Sequence, residues 1–377
     1  MLSRRAILAI GAAGFASSCA AARGFSDGLA HDLGATRQRV WLPPVNVSPE
    51  RVIRIDVGLR PFRPSGFRVE REAFGDKALI HNYGHGGGGI TLSWGTSHQA
   101  VELGYDPATR DYALLGAGAV GLATARLLQE RGARVRIYAK ALSPNTTSNV
   151  AGAQWWPASV YDTDRITEAY RERHVAAARF AFRRFQSLAG DQYGVTWERN
   201  YNLSQRPITR YPAPPESGMQ ELVVNQHDLA QGEHPFAAPY VRVFDTMMIE
   251  TPHYLRRVEE DVRRAGGEII VRDFASATEV QTLAERVIFN CTGLGAGALF
   301  GDAEIVPVRG QLAILLPQPE VDYNVIAPEG YMFGRHDGVV LGGTFERGEW
   351  SLEPNPETIA GILRGHQHVF GSMRRAS

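Results

Sequence analysis

Hydrophobic positions repeat with two different periods along the chain. RVIRIDVGLRP (51–61) alternates apolar and polar residues, and ALIHNYG (78–84) is a short apolar run, so both are predicted strands. Over Ile90–Leu103 the spacing becomes helical, and Gly104 ends the helix. YALLGAGAVGLATARLLQERGARVRIYAK (112–140) then gives strand, glycine turn, helix and strand. This βαβ unit is typical of a Rossmann-type lobe in the α/β class.

Further elements follow the βαβ unit. Residues 158–240 mix helix with proline-rich connections such as YPAPPESG, and a helix begins at Thr251–Pro252 and ends at Gly266–Gly267. Predicted strands and a last helix complete the chain: EIIVRDF (268–274), RVIFNCTG (286–293), QLAILLP (311–317), GYMFGR (330–335), GVVLGGTF (338–345) and the helix TIAGILRGHQHVF (358–370). The last three strands predict a second sheet, and therefore a second lobe.

Composition excludes several classes of function. The chain has 377 residues, enough for two lobes, with 44% hydrophobic and 21% charged residues, as in ordinary globular proteins. The formal net charge is zero without a basic block, which argues against a nucleic-acid partner. Only Cys19 and Cys291 are present, so neither a disulfide framework nor a thiolate metal cluster is expected.

The first 23 residues have the layout of an export signal. Arg4–Arg5 precede an apolar stretch that ends in small residues, which resembles a twin-arginine signal. Cys19 stands where a lipoprotein would carry a lipid, and cleavage after Ala20–Ala22 is the alternative. We therefore expect an exported protein, either periplasmic or anchored to the membrane and facing the periplasm. Residues 24–50 are predicted to be an irregular lead-in.

The glycine turn GAGAVG is the first candidate binding site. Gly116 makes the tight turn, Gly118 lets the backbone approach a pyrophosphate, and Gly121 lets the helix pack closely on the strand. The phosphates of a dinucleotide would then meet the helix N-terminus, next to Ala117 and Val120.

The end of the second strand leaves the choice of cofactor open. An acidic residue is expected there to hold the adenosine ribose, but the strand ends with Lys140. A lysine suits a 2′-phosphate and hence NADP. The alternative is an exposed lysine without a ligand.

Four later segments carry a resemblance to a known family. SPNTTSNVAGAQWWP (143–157), VIFNCTGLGAGAL (287–299), PVRGQLAIL (307–315) and LGGTFERGEW (341–350) resemble, in this order, the D-amino-acid oxidase family of FAD enzymes. The resemblance covers most of residues 112–365. It implies a Rossmann-type FAD-binding lobe with an α+β substrate lobe on a mixed sheet. The implied FAD contacts are Gly116, Ala117, Gly118, Val120, Gly121, Lys140, Thr146, Thr147, Ser148, Gly152, Ala153, Gln154, Cys291, Thr292 and Gly293.

The segment before the glycine turn is similar to the one that closes the chain in that family. GLRPFRPSGFRVERE (58–72) and IHNYGHGGGGITLSWG (80–95) stand ahead of the βαβ unit here, and the chain ends soon after GGTFERGEW. We therefore expect a circular permutation, joined through YDPATRD, which nearby surface termini would make tolerable. The expected parts are 51–104 (permuted segment), 112–160 (FAD-binding βαβ), 161–250 (mainly substrate lobe), 251–310 (return to the FAD-binding lobe) and 311–377 (substrate-lobe sheet and final helix).

The resemblance also assigns substrate contacts. Arg60 would hold a carboxylate through two parallel hydrogen bonds, with pairing to a structural carboxylate as the alternative. Tyr331 would bind the same carboxylate, and the backbone of Gly87 would bind the amine. Further flavin contacts implied in the glycine segment are Gly86, Gly88, Gly89, Ile90 and Thr91. We interpret His81 and His85 as structural, and Ala327 stands where the family usually has a lid tyrosine.

The implied reaction is oxidative deamination of a D-amino acid. The Cα hydrogen would leave as hydride to the flavin, and oxygen would be the acceptor, giving 2-oxo acid, ammonia and hydrogen peroxide. Three alternatives stay open: an FAD dehydrogenase with another acceptor, an NADP enzyme, and an exported flavin protein that binds an amino acid without turning it over.

Overall fold

The computed structural model describes residues 39–214 and 217–374. The predicted export signal and residues 24–38 of the lead-in lie outside the described residues. Residues 40–48 are irregular and lead into a short 3₁₀ helix, Pro49–Arg51. Within the described part of the chain, no helix is long and apolar enough to cross a membrane.

Strands and helices alternate along the described residues. The strands are β1 (Val52–Phe62), β2 (Arg68–Phe74), β3 (Lys77–Tyr83), β4 (Asp111–Leu115), β5 (Arg134–Ala139), β6 (Val195–Ser204), β7 (Val224–Leu229), β8 (Tyr240–Ile249), β9 (Glu268–Val271), β10 (Val287–Asn290), β11 (Val306–Leu315), β12 (Tyr323–Ala327), β13 (Gly330–Arg335), β14 (Gly338–Gly342) and β15 (Glu346–Arg347). The helices are α1 (Ser93–Gly104), α2 (Ala119–Gln129), α3 (Glu168–Ser187), α4 (Thr251–Arg264), α5 (Ala277–Gln281), α6 (Gly295–Phe300) and α7 (Pro356–Gly371).

A six-stranded sheet carries the predicted βαβ unit. Its order is β2-β3-β10-β4-β5-β9; β2 is antiparallel to β3, and the other neighbours are parallel. Leu114, Ile137 and Phe289 are fully buried in it, as expected for strands covered on both faces. The main core cluster joins residues of this sheet with residues of α1 to α4. The permuted segment supplies β2 and β3 to this sheet.

A nine-stranded mixed sheet forms the second layer, which confirms the predicted mixed sheet. Its order is β1-β11-β14-β13-β12-β6-β8-β7, with β15 paired to β11, and only β12 and β6 are parallel neighbours. Ile359, Leu363 and Phe370 of α7 join the core cluster of this sheet. The permuted segment reaches this sheet as well, because β1 pairs with β11.

Six residues of the nine-stranded sheet form a row across six of its strands. In register from β11 to β8, this cross-strand row consists of Leu312, Gly342, Tyr331, Ile326, Asn202 and Arg242. Residues in register share one face of a sheet, and neighbouring strands lie about 4.8 Å apart. Tyr331 and Asn202 are therefore separated by roughly 10 Å across the sheet.

Residues 158–240 differ from the sequence prediction. Besides α3, they contain the strands β6 and β7, which the mixture of helix and proline-rich connections did not predict. Asn200 and Asn202 are buried on β6, so the strand lacks an apolar run at positions that face the interior. In addition, α3 shares the core of the six-stranded sheet, although 161–250 was expected to be mainly substrate lobe.

Candidate active site

Backbone contacts shape the glycine turn between β4 and α2. Gly116 has φ +102°, and a Cβ there would lie 2.5 Å from the Cys291 carbonyl oxygen. A Cβ on Gly121 would lie 2.0 Å from the Gly116 carbonyl oxygen. Gly118 differs, because a Cβ there would meet only Ser148 Oγ, at 3.1 Å. Gly116 and Gly121 therefore form the turn, whereas Gly118 leaves the outer face of the turn open to a ligand.

The start of α2 and a neighbouring 3₁₀ helix, Thr147–Val150, form a polar wall. The backbone N–H of Ala119 donates to Ser148 Oγ at 3.1 Å, and Gly118 precedes α2 without a capping side chain. Thr146 Oγ1 donates to Asn149 Oδ1 at 2.7 Å, which fixes the adjoining loop. Uncapped helix amides beside hydroxyl groups suit the pyrophosphate of a dinucleotide.

A cavity of 1090 Å³ extends from this wall to the nine-stranded sheet. Small-molecule sites usually measure about 300–1,000 Å³, so this volume suits a ligand as large as a dinucleotide together with a substrate. The predicted cofactor residues that line it are Gly86, Gly89, Ile90, Thr91, Gly116, Ala117, Gly118, Val120, Lys140, Thr146, Thr147, Ser148, Gly152, Ala153, Gln154, Cys291, Thr292 and Gly293. The residues present therefore fit a bound dinucleotide.

Two predicted cofactor residues lie outside the cavity lining. Gly88 faces the interior, where a Cβ would lie 2.7 Å from Val160. Gly121 packs on the carbonyl of Gly116. Both glycines allow close packing inside the protein, so neither residue is placed to contact a ligand.

Arg60 lies at the far end of the cavity, on β1. Its Nη1 donates to the Thr344 carbonyl oxygen at 3.0 Å, and the guanidinium lies over Gly310, where a Cβ would approach Nη2 to 2.5 Å. Within the described residues, no carboxylate pairs with Arg60, so the structural alternative is wrong for this residue. Arg63, three positions on, does pair with Asp302 and Glu304. The Arg60 guanidinium, unlike that of Arg63, therefore has hydrogen-bond donors that could bind an anionic ligand.

Tyr331, which belongs to the cross-strand row, lies next to the side chain of Arg60. Burial raises the pKa of Tyr331, although the neighbouring Arg60 guanidinium opposes the shift, so the hydroxyl stays protonated. Its ring stacks on Phe333 with centroids 4.6 Å apart, which fixes its direction. A guanidinium and a neutral hydroxyl side by side can together donate to one carboxylate.

The glycine segment borders the same cavity. Gly86–Gly88 form a 3₁₀ turn, and Gly87 donates its N–H to the Ser159 carbonyl oxygen at 3.0 Å. A Cβ on Gly87 would lie 2.5 Å from the Ala158 carbonyl oxygen, so only glycine fits at this position. The segment then enters α1, whose N-terminus follows Ile90 and Thr91. It brings backbone rather than side chains to the cavity wall.

The two histidines and Cys291 have structural partners. His81 Nε2 contacts Glu72 at 3.0 Å and its Nδ1 contacts Asn290 at 3.1 Å, while His85 Nε2 contacts Thr96 Oγ1 at 2.9 Å. Burial lowers the pKa of His85 to about 3, so this ring is neutral. Burial raises the pKa of the Cys291 thiol to about 12, which makes it unreactive. These contacts agree with the interpretation of His81 and His85 as structural.

The structure adds cavity residues that the sequence did not single out. Arg272, Asp273 and Phe274, just after β9, line the end next to Lys140. Lys140 Nζ lies 2.8 Å from Asp273 Oδ2. Asp273 was not predicted, because the predicted strand ran to Phe274, whereas β9 ends at Val271. In a parallel sheet, the carboxyl ends of neighbouring strands meet at one edge, and that rule could have identified it.

Tyr211, in the connection between β6 and β7, is another residue of the cavity lining that the sequence did not single out. Ala327 is outside the cavity lining and pairs with Gly330 in a tight hairpin, so this turn carries no lid. Arg242 Nη1 donates to the Tyr211 carbonyl oxygen at 3.0 Å, and the Tyr211 ring meets Phe244 edge-on at 5.9 Å. Since Arg242 belongs to the cross-strand row, an aromatic side chain borders the cavity on the Asn202 side of Tyr331.

Comparison with known proteins identifies relatives of this chain. The sequence model of the DAO family, described as FAD dependent oxidoreductase, matches residues 111–377. A D-amino-acid oxidase of Rubrobacter xylanophilus is 32% identical over 257 residues, covering 67% of this chain and 74% of that protein. A human D-aspartate oxidase is 30% identical over 262 residues, covering 68% of this chain and 74% of that protein.

Solved structures share the fold. A glycine oxidase of Geobacillus kaustophilus superposes with a TM-score of 0.53 at 16% identity, covering 71% of this chain and 81% of that one. An L-α-glycerophosphate oxidase of Mycoplasma pneumoniae with FAD bound superposes with a TM-score of 0.50 at 14% identity, covering 71% and 80%.

Proposed function

This chain belongs to the DAO family of FAD-dependent oxidoreductases, and from this premise we propose that it catalyses oxidative deamination of a D-amino acid. Membership settles the cofactor as FAD and the reaction class as amino-acid oxidoreduction, so the NADP alternative is withdrawn. The observation that carries the finer proposal is the pair Arg60 and Tyr331. A guanidinium without a carboxylate partner among the described residues lies beside a protonated hydroxyl at the substrate end of the cavity.

Binding would place the substrate by contacts from three residues. The Arg60 guanidinium holds the carboxylate with two parallel hydrogen bonds, and the Tyr331 hydroxyl donates a third. The backbone at Gly87, next to the bridge between Phe62 of β1 and His85, would bind the amine. With the carboxylate and the amine held and the Cα hydrogen directed towards the flavin, only one stereoisomer would place its side chain in the remaining space.

The described cavity wall contains no suitable general base. Its only acidic residue among those described is Asp273, at the Lys140 end, and His85 is neutral with a pKa of about 3. FAD, when bound, supplies the acceptor for a hydride from the substrate's Cα. The protein's part would therefore be to position a neutral amine and to exclude water.

We propose oxygen as the final acceptor. In the balanced reaction, a D-amino acid, oxygen and water give a 2-oxo acid, ammonia and hydrogen peroxide. The resemblance to oxidases supports this acceptor, and the relatives named above are oxidases by description. A dehydrogenase with another acceptor is an outcome of the experiment below.

Circular permutation is part of the proposal. The family match begins at residue 111, so β1, β2 and β3 precede it, and the two curated relatives leave about a quarter of their own length unmatched. These three strands nevertheless occupy both sheets: β3 lies between β2 and β10, and β1 pairs with β11. A family segment moved from the end of the chain to its start accounts for both observations.

We also propose export to the periplasm. The support is the sequence of residues 1–23, with Arg4–Arg5 and Cys19. Mass spectrometry of the protein recovered from a cell envelope tests it. A cleaved chain or a lipid on Cys19 is expected, and an intact N-terminus in the cytoplasm would contradict it.

The decisive experiment is an absorption spectrum of the purified protein under anaerobic conditions, before and after a panel of D- and L-amino acids. We expect a flavin band that bleaches with D-isomers only and returns with air, with hydrogen peroxide formed. Bleaching without return in air would indicate a dehydrogenase. A flavin band that never bleaches would contradict turnover and favour a binding protein.

A further inference from the structure

The cavity's Lys140 end contains a charged pair that the proposed reaction does not use. We infer that Asp273, and not a residue of β5, holds the adenosine ribose of FAD, with Lys140 positioning its carboxylate. This inference concerns cofactor binding and does not depend on which substrate is oxidised.

The need for an acid at this place follows from the chemistry of the ribose. Dinucleotide folds place a carboxylate at the end of the second strand of the βαβ unit, where it accepts hydrogen bonds from ribose hydroxyls. Here that strand, β5, is followed by Lys140. An ammonium group has three donors and no acceptor, so it cannot perform the same task.

The sheet brings a carboxylate to the same place from the neighbouring strand. β5 and β9 are parallel, with Ala139 opposite Val271, and the N–H of Arg272 donates to the Ala139 carbonyl oxygen at 2.9 Å. The two strands therefore end side by side at one edge of the sheet. Asp273 follows β9 by two residues, as Lys140 follows β5 by one, and both line the cavity.

The pair has the geometry of a held but accessible carboxylate. Lys140 Nζ contacts Asp273 Oδ2 at 2.8 Å, yet 61% of the Asp273 side chain stays exposed. The carboxylate therefore has room for a second partner. The Asp273 carboxylate would also repel the 2′-phosphate of NADP, which agrees with FAD as the cofactor.

Next to the pair are an aromatic ring and a guanidinium group. Phe274 is 8% exposed and packs on Tyr138 with ring centroids 5.8 Å apart. The Arg272 guanidinium lies 4.4 Å from the centroid of the Phe274 ring. Aromatic and guanidinium groups are common partners of nucleobases, so the adenosine half is expected at this end.

The test measures FAD binding to flavin-free protein, and the quenching of flavin fluorescence reports the bound fraction. Asp273→Asn is expected to weaken FAD binding about tenfold, since hydrogen bonds to a charged acceptor are among the stronger ones. Lys140→Met is expected to weaken it less, about two- to threefold, because an exposed ion pair contributes little. Asp111→Asn is the matched control, because Asp111 is an exposed carboxylate paired with Arg134 2.7 Å away and lies outside the cavity lining.

Competition by nucleotides identifies the contact. ADP should displace FAD from the unaltered protein better than 2′,3′-dideoxy-ADP, and Asp273→Asn should abolish this difference. The exchanged variant, Lys140→Asp with Asp273→Lys, should restore part of the FAD affinity. Unchanged FAD affinity in Asp273→Asn, or a preference for ADP that persists in it, would overturn the inference. A protein that keeps this preference but never oxidises a D-amino acid would contradict the proposed function alone.

Discussion

At the cofactor end, the glycine turn and the polar wall beside it come from neighbouring parts of the sequence, whereas the substrate end joins side chains that are far apart in the sequence. Gly118 and Ser148 face each other across 30 residues, but Arg60 and its partner Thr344 are separated by 284. The first arrangement depends on the path of the main chain. The second depends on the pairing of β1 with β11 and on the register of β13. The two ends should therefore fail in different ways when single residues are changed.

The largest expected effect is at Arg60. Arg60→Met removes both hydrogen bonds to the carboxylate and should lower kcat/KM about 10³-fold, which corresponds to roughly 4 kcal/mol. Arg60→Lys keeps the charge but not the two parallel bonds, and should recover only part of the loss. Steady-state kinetics with a D-amino acid measures both.

Arg63→Met provides the contrast for this prediction. It breaks the contacts with Asp302 and Glu304 and should lower the thermal stability while KM stays unchanged. A raised KM in Arg63→Met, or an unchanged one in Arg60→Met, would contradict the assignment of the substrate carboxylate to Arg60.

The next effect concerns the glycine turn. Gly116→Ala places a Cβ 2.5 Å from the Cys291 carbonyl at φ +102°, and it should destabilise the fold by about 3 kcal/mol or more. Gly118→Ala meets only Ser148 Oγ, so the flavin-free protein should keep its stability but bind FAD more weakly. Thermal unfolding of both flavin-free variants checks this. If both variants lost the same stability, Gly118 would be a structural glycine like Gly116 and not one that only admits the ligand.

The cofactor end was largely predictable because its signals are local. The glycines that shape the turn and the hydroxyls after β5 are close in the sequence, and each has one steric or hydrogen-bonding reason to be there. Arg60 and Tyr331 were reached only through the resemblance, since no spacing links them. Asp273 and Tyr211 were not predicted, because their positions depend on which strands are neighbours. The strand β6 was hidden by its buried asparagines, of which Asn200 accepts a hydrogen bond from Gln154 instead of joining a hydrophobic core.

Burial of polar groups on β6 has a cost in stability, and Glu198 on this strand shows it. Thr196 Oγ1 donates to Glu198 Oε1 at 3.0 Å, while Oε2 is buried and, within the described residues, without a partner. Burial raises the pKa of Glu198 from 4.5 to about 7.

The sign of the pH dependence follows from this shift. The folded protein retains a proton on Glu198 that the unfolded chain loses at about 4.5, so the free energy of unfolding falls between about pH 4.5 and 7. Glu198→Gln should therefore be more stable than the unaltered protein at pH 8, by roughly 3 kcal/mol, and nearly equal to it at pH 4. Urea unfolding at both pH values measures the difference. The exposed Glu172→Gln serves as control, and an equal gain at pH 4 and pH 8 would mean that ionisation of Glu198 is not the cause.

The smallest expected effect concerns the wall of the side-chain pocket, where the substrate end departs most from the family. Ala327 offers no lid, so Tyr211, held over Phe244 and Arg242, is the aromatic group that a bulky substrate side chain would meet. Tyr211→Ala removes that apolar surface and should lower kcat/KM for D-phenylalanine about tenfold relative to D-alanine. Tyr240→Ala is the control, because Tyr240 lies on β8 but outside the cavity lining. If both variants keep the same ratio of kcat/KM for the two substrates, the connection between β6 and β7 does not contribute to side-chain selection. The substrate end would then be defined by its paired strands alone, with Ile326 and Phe333 as its apolar wall.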